Sequence, residues 1–318
     1  VVADIVSNCL GCNRITDIES IIGKVREMSE IYAPDLLITL GKTSPVSRAF
    51  KEWLRGIPRL SHWRVNDIPT PEDTYFHLEK TIVADDKTFL KYLSDNLLSP
   101  NAVYFSTPWL TLYSHAEEIK QSLLDSAAWS DIGSINLIVM NLPEGYDIHS
   151  SNGMTIRYLT LTGTCGHAAY CNRGVNGIDG STSTALGFST VANGKTLFIS
   201  GDMSALYDIS ALFSGQLSPK FKMIIIANGG GEIFRMTKAT RDYEAREEML
   251  CRIPSINWSD IAASVDMAFF SADSFETLKS NLVPFFSENA RAALMVIYTG
   301  AGNSIIYRNI IKEIYKQL

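Results

Sequence analysis

The sequence predicts an α/β protein built from two doubly wound parallel-sheet domains. Short apolar runs bounded by turn residues alternate with stretches of helical period along most of the 318 residues, which is the pattern of parallel strands with crossover helices. The series occurs twice, on either side of a connecting helical stretch. In the second series, two apolar runs end in Gly201-Asp202 and Ala227-Asn228, placing polar residues at strand carboxyl ends, where open α/β sheets bind ligands.

In chain order, the first domain is expected over 1–108. It starts with a strand at 1–7 (Val1-Val2-Ala3-Asp4-Ile5-Val6), followed by a helix near 17–31 and a strand at 35–40. A helix near 46–55, a strand near 59–65 and a helix near 86–94 complete it, with a polar, acidic surface connection over 69–79. Residues 109–130, with Trp109, Leu112, His115, Ile119 and Leu123, read as a connecting helix and linker with a break at 126–133. The second domain, 131–318, holds a helix near 131–142, a strand near 145–149, a helix after Asn152, a strand at 168–171 and a helix near 180–192. The strands Lys195-Thr196-Leu197-Phe198-Ile199-Ser200 and Lys222-Met223-Ile224-Ile225-Ile226-Ala227 follow. A strand at 267–270, a helix near 274–284, a strand at 292–298 and a terminal helix from about 304 close the chain.

Composition narrows the function classes. A chain with 46% hydrophobic residues and mean hydropathy near zero has the material for two cores. A net charge of −6 argues against a nucleic-acid or anionic-membrane surface. No apolar run has membrane-span length and no signal-peptide pattern opens the chain, so the expected compartment is the cytoplasm and no membrane partner is expected. Val1 is not a start methionine, and an opening strand without lead-in suggests a truncated chain. Five cysteines do not make a disulfide framework. Cys9 and Cys12 have redox or zinc spacing but lack a second pair; Cys165, His167 and Cys171 fall where a strand runs into a turn. His62, His77, His115 and His149 have no partner at ligand or triad spacing and read as surface or core histidines.

Asp202 and Asn228 carry the chemistry. A hard divalent cation wants oxygen donors, and the Asp202 carboxylate, the Asn228 amide oxygen and a carbonyl of the glycine run can supply three, leaving places for phosphate oxygens and water. Gly229, Gly230 and Gly231 let the backbone approach an anion without a Cβ in the way. After Ser204 the pattern Leu206, Ile209, Leu212, Phe213 predicts one helix aiming its free N–H groups at a diphosphate. A dehydrogenase fingerprint is disfavoured, because Gly177-Ile178-Asp179-Gly180 lacks the spaced third glycine and a downstream acid. A phosphatase would want a carboxylate where Ser204 stands.

Gly201-Asp202-Met203-Ser204-Ala205-Leu206-Tyr207-Asp208, followed by Asn228-Gly229-Gly230-Gly231-Glu232-Ile233-Phe234, resembles the thiamine diphosphate signature. With Asn172-Arg173-Gly174-Val175-Asn176-Gly177-Ile178-Asp179-Gly180, the resemblance narrows to the MenD family of menaquinone biosynthesis. It covers essentially the whole chain, from part-way into that family's middle domain through its pyrophosphate-binding domain. It implies Asp202, Asn228 and the Gly230 carbonyl as ligands of magnesium or manganese, with Gly201, Ser204 and Asn152 near the diphosphate. Ile178 matches the apolar residue that holds the cofactor bent. Arg157 and Arg173 match substrate-carboxylate arginines, suited by their planar fork. Arg48 stands where a lysine is common, and Ile233 and Phe234 match an apolar wall around the substrate.

The implied reaction decarboxylates 2-oxoglutarate and adds the resulting carbanion to isochorismate, in a homodimer or dimer of dimers with active sites at subunit interfaces. The sequence departs from the family at Gly153, where a serine is usual and Ser151 is the nearest substitute. It departs again at Ala227 and Gly229, which flank Asn228 where an asparagine run is common. The family's activating glutamate lies on a pyrimidine-binding domain that this sequence lacks, so the chain by itself is expected to be silent. Another 2-oxoacid decarboxylase or carboligase of the superfamily, or a silent fragment of one, is the alternative.

Overall fold

The computed structural model describes residues 1–9, 11, 13–41, 45–96, 103–287 and 291–318. The chain divides into two compact units, Val1–Lys120 with Glu313–Leu318, and Gln121–Lys312.

The first unit is a three-stranded parallel sheet in the order β1-β2-β3. Its helices and strands run α1 (Ile22–Glu27), α2 (Ser29–Tyr32), β1 (Leu36–Thr39), α3 (Arg48–Arg55), β2 (Ser61–Asn66), β3 (Leu78–Val83) and α4 (Asp86–Asn96). The helix α5 (Val103–Asp125) spans most of the interval read as a connection. Ser47 caps α3 by accepting the Phe50 N–H at 3.2 Å, which is why that helix starts one or two residues later than its apolar pattern.

Three expectations for this unit are corrected. Residues 1–7 are not a strand: Asp4 caps a 3₁₀ turn at Ile5–Ser7 and accepts the Val46 N–H at 2.8 Å, leaving a single parallel bridge, Val2 to Ile15. The helix expected over 17–31 is a 3₁₀ turn and two short helices, interrupted at Met28, where ψ reaches 43°. The polar connection at 69–79 ends early, because Leu78 and Glu79 already belong to β3. That strand alternates poorly and is half exposed, which hid it in the sequence.

The second unit is a six-stranded, all-parallel sheet in the order β5-β4-β6-β7-β9-β8. Its elements are α6 (Asp131–Met140), β4 (Tyr146–Ser150), α7 (Met154–Thr162), β5 (Ala169–Cys171), α8 (Ser181–Val191), β6 (Lys195–Gly201), α9 (Asp202–Tyr207) and β7 (Phe221–Ala227). After them come α10 (Glu232–Met236), α11 (Trp258–Ser264), β8 (Ala268–Ala272), α12 (Phe275–Phe286), β9 (Ala293–Tyr298) and α13 (Asn303–Gln317), whose residues from Glu313 on count with the first unit. Both faces of the central strands are buried. Phe198, Met223, Ile225, Leu294 and Val296 pack on one side with Ala185, Ala205, Leu212 and Trp258. Leu197, Ile199, Ile224, Ile226, Met295 and Ile297 are buried on the other. This double burial explains the near-continuous apolar runs in the sequence. At roughly 1.5–3 kcal/mol per large apolar side chain, these strands are the most strongly held part of the unit.

The single long helix expected after Ser204 is also corrected. α9 starts at Asp202 and stops at Tyr207, and a 3₁₀ segment, Ile209–Ser214, follows. Asp208 interrupts it because its carboxylate is drawn away to the start of α8, accepting the Ser183 N–H at 2.6 Å and the Ser183 hydroxyl at 2.7 Å. Among the described residues no helix is long and apolar enough to cross a membrane.

His149, on β4, is buried against Tyr170 and Phe188 at ring separations of 4.9 and 4.5 Å, and no group among the described residues hydrogen-bonds its Nε2. Burial lowers its pKa from 6.5 to about 4. The unfolded chain takes up that proton near pH 6.5, whereas the fold resists it until about pH 4. Stability is therefore complete above pH 6.5 and is lost as pH falls through this window. Urea unfolding at pH 7 and pH 4.5 should differ by about 2 kcal/mol from this residue, and that share should vanish in His149→Phe.

Candidate cofactor- and metal-binding site

Parallel pairing of β6 with β7 sets Gly201 opposite Ile226, so both strands end together and release Asp202 and Asn228 side by side. Asp202 is buried, and its Oδ2 accepts the N–H groups of Gly229 and Gly230 at 3.0 and 3.1 Å while Oδ1 accepts from Met203 at 2.7 Å. Burial raises its pKa, and these backbone donors offset the rise only in part. No cationic side chain among the described residues pairs with this carboxylate. A buried anion held only by N–H dipoles is an environment that a bound cation would stabilise.

Asn228 is buried beside it, and its Nδ2 donates to Asp131 Oδ2 at 2.7 Å. That bond fixes which end of the amide is which and leaves Oδ1 without a protein donor among the described residues. Asp131, at the first position of α6, also accepts from the Thr299 hydroxyl, and its own N–H donates to Asn303 Oδ1 at 2.8 Å. Burial pushes the Asp131 carboxyl up to about 7, against the hydrogen bonds from Thr299 and Asn228, with Glu232 nearby adding to the rise.

The glycine run is left-handed at all three residues, with φ of 85°, 79° and 55°. A Cβ on Gly230 would strike the Cys251 carbonyl and come within 2.7 Å of Ile253, and one on Gly231 would meet Cys251 Cβ at 2.8 Å. Glycine is therefore required here by backbone shape and by the segment packed above it. The Gly230 carbonyl accepts from Arg235 Nη1 at 2.9 Å; Arg235 also pairs with Glu232 and with Glu247 at 2.8 Å. Glu232 in turn accepts the N–H groups of Gly302 and Ser304, both at 2.7 Å, capping the start of α13.

The remaining expected residues of this unit form one network. Asn152 donates to the carbonyls of Asn172 and, at 2.6 Å, Gly177, and its Oδ1 accepts from Arg173 Nη1 at 3.0 Å. Arg173 is buried, while Arg157 is half-buried and turns back to donate to the Gly153 carbonyl. Two guanidinium groups thus attach to consecutive residues of one turn. The Ser204 hydroxyl donates to the Ile178 carbonyl at 2.8 Å, tying that half-buried apolar residue to the Asp202 helix. Gly201 donates its N–H to Ser151 Oγ at 3.3 Å. Ser151 is fully buried in that role and is not presented as a replacement for a hydroxyl at 153. Ile233 and Phe234 are half-buried on α10. Arg48 belongs to the first unit, where it starts α3 and pairs with Glu52 at 2.7 Å.

The other candidates have ordinary partners. Cys171 contacts Asn152 Oδ1 at 3.4 Å, Cys165 lies 3.8 Å from Met140 sulfur, and His167 Nδ1 bonds the Tyr146 carbonyl at 2.9 Å. Among the described residues no three His, Cys, Asp or Glu side chains cluster as a metal group. Cys12, half of the Cys9/Cys12 pair, lies outside the described residues. Asp131, Glu232 and Arg235 are site residues that motif reading missed. An acid straight after a glycine run, with an arginine three places on, was the available signal for the last two.

Fold and loops together define an α/β protein with an oxygen-bearing, glycine-rich site at the carboxyl ends of a parallel sheet. No protein-family model matches the chain. Curated relatives do, among them several named 2-succinyl-5-enolpyruvyl-6-hydroxy-3-cyclohexene-1-carboxylate synthase. The protein from Porphyromonas gingivalis is 30% identical over 307 residues, covering 93% of this chain and 53% of the relative. That from Flavobacterium johnsoniae is 30% identical over 283 residues, 88% of this chain and 50% of the relative. That from Phocaeicola vulgatus is 33% identical over 223 residues, 69% and 39% respectively. The chain is a homologue of these synthases, the MenD family, along nearly all of its own length, and it spans about half the length of the curated relatives it matches.

The cradle gives a test independent of ligands. Gly230→Ala forces a side chain into a left-handed position against Cys251 and Ile253. It should cost about 2 kcal/mol in a thermal or urea melt, whereas Gly187→Ala on α8, where a Cβ meets open space, should not destabilise.

Proposed function

We propose that this chain is the metal- and diphosphate-binding portion of a thiamine diphosphate-dependent synthase of menaquinone biosynthesis. The whole protein would decarboxylate 2-oxoglutarate and join the remaining fragment to isochorismate. In this reading 1–108 is the later part of the middle domain, 109–130 the connection and 131–318 the pyrophosphate-binding domain. The observation that carries it is the pairing of Asp202 and Asn228 at adjacent strand ends, with the amide oxygen turned free by Asp131.

The residues fit the group. Asp202, Asn228 and the Gly230 carbonyl offer a hard cation one anionic and two neutral oxygens. Magnesium or manganese bound there would supply the counter-charge that the buried Asp202 lacks. The Gly230 carbonyl already accepts from Arg235, so cation and guanidinium would share its two lone pairs or the arginine would give way. When bound, thiamine diphosphate supplies the carbon–carbon cleavage and joining chemistry; the protein contributes position and field. Ser204 holds the Ile178 backbone, setting the apolar residue against which the cofactor would bend. Arg157 and Arg173, which bond to the Gly153 carbonyl and Asn152 Oδ1, would receive substrate carboxylates in this reading. Ile233 and Phe234 would exclude water beside them. A homodimer or dimer of dimers, with a neighbour's glutamate completing each site, is part of this proposal.

Full-length protein with thiamine diphosphate and magnesium should consume 2-oxoglutarate only when isochorismate is present. Turnover of pyruvate instead would move the reading to another carboligase. Asp202→Ala should abolish metal-dependent cofactor binding in calorimetry. Arg173→Ala should lower kcat/KM about 100-fold or more, consistent with loss of a charge-assisted bidentate contact, while leaving cofactor affinity within a few-fold.

A further inference from the structure

An asparagine amide is nearly symmetric in shape and opposite in chemistry at its two ends. A hard cation accepts the oxygen and is repelled by the NH₂ group, so a ligand of this type works only when something else decides its rotation by 180°. Asp202 needs no such help, since both of its oxygens are acceptors. Asn228 does.

We infer that Asp131 is a positioning residue whose carboxylate locks the Asn228 amide with its oxygen facing the cation; the inference rests on Asn228 being a metal ligand, as proposed above. Asp131 Oδ2 takes the Nδ2 hydrogen at 2.7 Å, and against the ionised carboxylate the flipped amide would press oxygen on oxygen. Asp131 itself cannot swing away. It is fully buried, its other oxygen is held by the Thr299 hydroxyl, and its backbone N–H is bound by Asn303 Oδ1 at 2.8 Å. Asn303 is fixed in turn by donating to the Gly300 carbonyl at 2.6 Å, and the Thr299 N–H reaches the carbonyl of Ala227, the residue before Asn228, at 3.4 Å. The loop after β9 and the first turn of α6 therefore hold the orientation of a residue at the end of β7. Partners of this kind behind a metal ligand are typically worth ~10–100-fold in metal affinity.

The test is Mn²⁺ binding to the full-length protein with saturating thiamine diphosphate, read from the electron paramagnetic resonance signal of free Mn²⁺, with circular dichroism as the folding control. Asp131→Leu, which cannot accept a hydrogen bond, should weaken Mn²⁺ binding ~10-fold or more. Exchanging the two residues, Asp131→Asn with Asn228→Asp, reverses donor and acceptor and still leaves a carboxylate oxygen for the cation. This double variant should bind at least as tightly as wild type. A folded Asp131→Leu with unchanged affinity overturns the inference, as does a folded exchange variant that loses ~10-fold; if Asp131→Leu does not fold, the exchange variant decides. Asn228→Ala separates the two levels: unchanged Mn²⁺ affinity there removes the ligand assignment itself, whereas a loss there with none in Asp131→Leu removes only the role of Asp131.

Discussion

Lateral pairing of two parallel strands is the constraint on which the rest of the second unit depends. With Gly201 opposite Ile226, the next residues on each strand, Asp202 and Ala227-Asn228, leave the sheet about one strand spacing apart, ~4.8 Å. A register slip of one residue would turn Ile224 and Ile226 to the wrong face and separate the two polar groups at once. The apolar burial that fixes the register therefore also fixes how Asp202 and Asn228 face each other.

The polar groups of this site are held by one another and by backbone rather than by water. Asp202 rests on the glycine N–H groups, Glu232 on the start of α13, Asp131 on Thr299 and Asn303. Three buried acids lie in this small region, with Arg235 pairing one of them. Such an arrangement is costly for stability unless each acid is satisfied, and the hydrogen bonds described account for each. It leaves a local excess of negative charge facing the loop where the metal is proposed.

How much of this was legible in the sequence follows from how local each signal is. The strands β6, β7 and β9 were readable because burial on both faces writes itself as a near-continuous apolar run. The Gly-Asp and Asn-Gly-Gly-Gly ends were readable as motifs. β3 was not, since a half-exposed strand with Glu79 and Lys80 at its centre has no apolar period. The helix after Asp202 was overextended because its break is caused by Asp208 reaching Ser183, a contact that no window around 208 contains. Asp131 was invisible for the same reason at larger scale: it meets Asn228 across 97 positions, and nothing near residue 131 announces the partner.

Gly153 sits at φ 95° and ψ −133°, a region of the backbone map open in practice only to glycine, and its carbonyl is what Arg157 grips. Any side chain at 153 would therefore have to change the path of the main chain. A serine at 153 would add more than a hydroxyl; it would ask the turn to unwind and, with it, re-aim the guanidinium anchored there.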